Sequence, residues 1–190
     1  MTTILLSYNE VQTVARKAAS GAGLPYGVAE DIGQAAVWLS ARGVDAVRVV
    51  VAALADDRQT ILAGQAAIDA LCCGETEEVV LKDRDCGLLI GLAGVAAMNA
   101  GLSFAVRLGN GDVVPLVRVS DVAGRVPSAA ALRLMSDDVD DAPARFGAPR
   151  PAATDAGAYA AALGLAAKTH VPASELSRAQ GAGASASDND

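Results

Sequence analysis

The chain has 190 residues, of which 52% are hydrophobic, 3% aromatic and 19% charged, with a formal net charge of −7. That length fits one compact domain, and the apolar fraction excludes disorder throughout, which needs low hydrophobicity. The acidic balance excludes the basic stripe of a nucleic-acid-binding surface, and Asn99, Gly101 and Ser103 break the one long, nearly charge-free run, Cys86 to Val106, before it makes a uniform membrane span.

The first seventy residues read as helices. Ser7-Tyr8-Asn9-Glu10 matches a capping box, in which the serine hydroxyl accepts from the glutamate amide and the glutamate reaches back. Val11, Val14, Ala15 and Ala18 then recur at helical spacing until Gly21 or Gly23 ends the helix. A second helix starts near Pro25 and runs to about Arg42, with Val28, Ile32, Ala35 and Leu39 as its buried face and Trp38 on the flank. Asp45 caps a third helix through Leu54, and a fourth spans Ile61 to Leu71.

The period then changes. Glu77 to Lys82 is short and β-rich, Gly87 to Ile90 is a brief apolar run, and Gly91 to Asn99 is helical, so Cys86 to Leu108 reads as a strand–helix–strand unit. Leu102 to Leu108 and Asp112 to Val117 alternate on either side of Gly109-Asn110-Gly111, which predicts a β-hairpin over 102–117. Pro115 lacks a ladder donor and places its strand at an edge or a bulge. Ala131 to Met135 adds one more strand. Residues 136–153, with Asp137, Asp138, Asp140, Asp141 and three prolines, read as a linker. Thr154 or Asp155 then caps an alanine-rich helix to about Lys168, and a short helix covers Ala173 to Gln180. The segment 181–190 is either a solvated tail or one that docks on a partner.

The expected fold class is α+β in a single domain, 1–190: a helical part (1–72), a small central mixed sheet (77–135) and C-terminal helices (154–180) packing back on the core. Three cysteines, two of them adjacent (Cys72 and Cys73), make a poor disulfide framework and read as buried small hydrophobes. With His170 they lack zinc-ligand spacing, and the acidic run Asp137–Asp141 lacks the offsets of a calcium loop, so neither metal nor cofactor is expected. The opening Met1–Ser7 has no positive segment or long apolar run of a secretory signal, which makes a reduced cytoplasm the expected compartment. Gly91-Leu-Ala-Gly94 has neither the dinucleotide nor the P-loop spacing and reads as close helix packing.

His170, the only histidine, is the first candidate for general-base work, with Glu175 beside it in sequence. Tyr26, Glu30, Arg42 and Arg178 are candidate polar lining for a small-molecule pocket between helices and sheet. No nucleophile elbow accompanies them, so the leading expectation is a non-catalytic cytoplasmic protein that self-associates or serves as a partner subunit. The small-molecule binder or enzyme is the alternative.

Two resemblances add to this reading. Ser7-Tyr-Asn-Glu10, Ala15 to Gly23, Tyr26-Gly27, Ala29-Glu30 and Trp38-Leu39, with Thr169 to Arg178 and Gly181 to Asp190 at the other end, resemble a family of uncharacterised bacterial proteins, which brings no activity with it. The first fifty residues, through Ala41-Arg-Gly-Val-Asp45, are also similar to the N-terminal region of the NAD-using malate/L-lactate (sulfolactate) dehydrogenases. In that family the stretch continues into Ser-His-Gly with an active-site histidine; here Ala46-Val47-Arg48 stands instead.

Overall fold

A computed structural model of the chain describes residues 2–55, 57–81, 86–109, 111–116, 118, 130–135 and 151–169. These carry a strand β1 (Thr3–Leu6) followed by helices α1 (Tyr8–Gly21), α2 (Tyr26–Ser40), α3 (Ala46–Leu54) and α4 (Arg58–Cys72). Next come β2 (Glu78–Leu81), α5 (Cys86–Ala100), β3 (Phe104–Leu108), β4 (Val113–Pro115) and β5 (Ala130–Leu134). Strand β6 (Ala152–Asp155), helix α6 (Ala156–Ala166) and a short 3₁₀ turn (Ala167–Thr169) complete the described elements. The class is α+β.

Local chemistry accounts for the helix starts. Ser7 N donates to Glu10 Oε2 at 2.8 Å and Ser7 Oγ accepts from Glu10 N at 3.3 Å, which is the capping box read from the sequence. Asp45, Asp57 and Asp155 cap α3, α4 and α6 by accepting from the amides of Arg48, Gln59 and Ala158. Helix α1 buries Val11, Val14, Ala15, Ala18 and Ala19; α2 buries Ala29, Ile32, Ala35, Trp38 and Leu39, while Val28 is only partly covered.

Helix α5 corrects the expected strand–helix–strand unit, because Gly87 to Ile90 is its first turn rather than a strand. A four-residue apolar run has no decisive period of its own, and here it continues unbroken into residues buried on nearly every side. Leu88, Leu89, Ile90, Leu92, Ala93 and Val95 are all buried, so α5 is the central helix and packs on α2, α3 and α4. Small residues allow this. A Cβ at Gly91 would come within 2.8 Å of Leu39, and one at Gly94 would overlap the Trp38 ring.

The main sheet has the order β2-β5-β3-β4, and its described ladders are all antiparallel rather than mixed. The 102–117 hairpin is present as β3 and β4, with Gly111 at φ 91° and Leu108 N donating to Asp112 O at 2.8 Å. Pro115 sits on the edge strand, where no central ladder needs its missing donor. Arg107 on β3 reaches across β5 to Glu78 on β2 and forms a forked ion pair at 2.6–3.1 Å.

A second sheet was not expected: β1 pairs antiparallel with β6, Thr3 opposite Asp155 and Leu6 opposite Ala152. Its strands are four residues each and lie about 150 positions apart, so nothing local marks them. The start of the chain is therefore a strand before it is a helix, and residues 152–153 of the expected linker are ladder. Asp45 anchors this sheet. Its carboxylate accepts from Thr154 Oγ1 at 2.5 Å and from Asp155 N at 2.9 Å while also capping α3.

Candidate functional site

The sequence-selected polar residues fall into separate places. Tyr26 and Glu30 stand one turn apart at the start of α2, where α1 supplies a partner that sequence reading missed. Arg16 Nη1 donates to Glu30 Oε1 at 2.6 Å and to the Tyr26 hydroxyl at 3.4 Å. Hydrogen bonds from Arg16 and then Tyr26 hold the Glu30 carboxyl below its ordinary value, and Glu30 in turn raises Arg16. The cluster lies on the surface.

Arg42 lies beyond the other end of α2, a helix about 22 Å long at 1.5 Å per residue. Its guanidinium rests 3.5 Å from the centroid of the Trp38 ring, and Nη1 donates to Trp38 O at 3.1 Å. Partial burial pulls its pKa down to about 10, so it stays charged at neutral pH. The structure thus brings Tyr26 and Glu30 together and leaves Arg42 apart from them. His170, Glu175 and Arg178 lie outside the described residues, as do most of the expected linker, the helix at 173–180 and the tail.

A cavity formed by described residues lies in the helical layer. Gln12 of α1, Gln34, Val37 and Trp38 of α2, and Val95 and Met98 of α5 line a half-open groove of about 200 Å³. A water's share of liquid volume is about 30 Å³, so the groove takes a side chain or a small apolar group rather than one solvent molecule. Its floor is the Trp38 ring, 3% exposed, which Gly94 admits from α5 and Arg42 covers. Its rim carries Met98, 54% exposed. The two glutamines are its polar members, and neither titrates.

Chemically, such a lining binds by apolar contact and offers amides for orientation; it holds no acid, base or nucleophile. Sequence reading missed the groove because three helices build it. The signal that pointed there is Trp38, the sole tryptophan, followed in space by the small residues of Gly91-Leu-Ala-Gly94.

The helices around this groove are also where similarity to other proteins lies. Residues 6–69 match the model of a family described as a protein of unknown function (DUF3726). The match covers α1 to α3 and most of α4, and so takes in Gln12, Gln34, Val37 and Trp38 but not the α5 wall. It agrees with the resemblance carried by Ser7-Tyr-Asn-Glu10 and Trp38-Leu39; the resembling stretch from Thr169 onward lies outside it. No curated protein matches the chain, and no solved structure does.

Two further groups complete the inventory. No cluster of three or more histidine, cysteine, aspartate or glutamate side chains able to hold a metal occurs among the described residues, and no helix among them is long and apolar enough to cross a membrane. The cysteines correct an expectation: Cys72 is only partly buried and Cys73 is exposed, because they straddle the C-terminal end of α4 where the helix leaves the core. Burial, then the Asp69 carboxylate and the Cys73 thiol, push the Cys72 thiol up.

Proposed function

We propose that this chain is a non-catalytic, self-associating protein of the cytoplasm, and that its contact face is the groove over Trp38. The observation that carries the reading is the character of that groove: six lining residues without a titratable or nucleophilic side chain, beside an exposed methionine. Apolar hollows of this kind bind apolar groups, and a flexible thioether adapts to an irregular hollow. Hole and knob lie side by side on one face. A two-fold axis therefore lets Met98 of each copy enter the groove of the other, since such an interface uses the same patch twice. The exposed free thiol of Cys73 fits a reducing compartment.

Sedimentation velocity over a micromolar concentration series tests this. The wild-type chain is expected to form dimers, Met98→Lys to stay monomeric, and Met98→Leu to retain association. Val37→Glu, which places a charge on the groove wall, weakens the dimer at least tenfold. A wild-type chain that remains monomeric throughout, or Met98→Lys that associates as before, refutes the proposal.

A further inference from the structure

The groove over Trp38 carries hydrogen-bonding capacity that the fold leaves unused. Gln12 and Gln34 line it, and neither side-chain amide has a hydrogen-bond partner among the described residues. The Trp38 indole N–H, a donor only, likewise has none, although the residue is 3% exposed and a tryptophan so buried ordinarily finds a partner for its nitrogen. Nε1 is not among the unpaired atoms sealed away from solvent, so it meets open space, and the open space against Trp38 is the groove. The other lining residues, Val37, Val95 and Met98, are apolar.

We propose that the groove binds a small neutral aromatic amide, and that such a ligand competes with Met98 of a second copy and so controls self-association. The competition rests on the self-association reading above; the binding does not.

Size and chemistry select the class. A cavity of about 150 Å³ holds benzene, so a groove of about 200 Å³ takes one aromatic ring with one small substituent. The apolar walls cover the ring, and Met98, exposed at the rim, folds against its edge. A carboxamide oxygen accepts from the indole N–H, and the group as a whole offers the donor and acceptor that a glutamine amide matches. A carboxylate or an ammonium would give up its hydration for a lining without a countercharge. Toluene fills the same space and leaves the indole N–H unpaired.

The test titrates the isotope-labelled full chain with benzamide, at a concentration where sedimentation shows monomer. With a single tryptophan, the one indole cross-peak of the nitrogen–proton correlation spectrum reports on the groove. Benzamide is expected to shift that peak downfield to saturation, and to bind at least fivefold more tightly than toluene or benzoate. Gln12→Leu and Gln34→Leu should each weaken benzamide roughly fivefold, the scale of one neutral hydrogen bond, and leave toluene binding unchanged. Far-ultraviolet circular dichroism should show both variants folded. At concentrations that form dimers, saturating benzamide should return the chain to monomers in sedimentation velocity. An indole peak that does not move, toluene or benzoate that binds as tightly, or undiminished benzamide binding in the double glutamine variant overturns the site. Dimers that persist while benzamide saturates the indole peak overturn the competition alone. Benzamide binding as described by a chain that forms no dimer at any concentration supports the site and refutes the self-association reading, and the competition with it.

Discussion

Replacing Gly94 by alanine isolates the close approach of α5 to α2. A methyl group there would overlap Cε2, Cζ2 and Cδ2 of Trp38, a ring that is buried and held by Arg42 from a 3.5 Å stacking contact. The ring must move or the helices must part, and overpacking of this kind costs about 1–3 kcal/mol. Against that, alanine in place of glycine in a helix gains about 0.5–1 kcal/mol. Gly164 of α6 provides the control, because its Cβ would meet nothing within 4 Å and the residue is exposed. Gly164→Ala should therefore stabilise by the propensity gain alone. The difference between the two variants cancels propensity and leaves the steric term, about 1–3 kcal/mol. In a chain of this length that corresponds to a separation in Tm of about 2–12 °C. Urea unfolding followed by the fluorescence of the single tryptophan reads both stability and the environment of the displaced ring. If Gly94→Ala is as stable as Gly164→Ala, the described contact does not govern the packing and the reasoning fails.

Other consequences are equally direct. Asp45→Ala removes the α3 cap and both links to β6, leaving the buried Thr154 hydroxyl without its acceptor, and should cost about 2–4 kcal/mol by urea unfolding. Thr154→Val should cost less, and a double-mutant cycle of the two should show coupling, since the residues are in direct contact. Glu10 and Glu30 both titrate below the ordinary glutamate value, Glu10 through its bonds from Ser7 and Glu30 through those from Arg16 and Tyr26. Their contribution is therefore present above the unfolded-state pKa and is lost as pH falls through the folded one, so Glu10→Gln and Glu30→Gln should flatten the acid limb of a stability–pH curve. A limb as steep in the double variant as in the wild type would contradict this.

What could be read from the sequence was whatever neighbouring residues decide. Ser7 and Glu10 are three apart, Asp45 and Arg48 likewise, and the two strands of the hairpin meet across a turn that contains Gly111. Tyr26 and Glu30, four apart, fall on one helix face for the same reason. What could not be read comes from distant segments meeting. Arg16 reaches Glu30 only once α1 folds against α2, and Thr3–Leu6 becomes a strand only because β6 lies beside it. The short run Gly87–Ile90 carried too little period to choose between strand and helix, and burial on nearly all sides decided for helix. The groove depended on three helices at once, so its residues share no spacing. The Cys72–Cys73 pair was visible as a pair, but its exposure depends on where α4 ends relative to the core.

The β1–β6 ladder sets an order on synthesis. A ribosome delivers α1 to α5 first, and these helices can pack around α5 while Leu6 and the Asp45 carboxylate still face water. Residues 152–155 emerge much later, and only then does Thr3–Leu6 find its neighbour and α6 its place on α1 and α3. Closing so long a loop is slow in comparison with joining adjacent helices. The nascent chain therefore carries the Thr3–Leu6 strand unpaired until residues about 150 positions later have been translated, and that strand is the point at which a chaperone would have the longest opportunity to act.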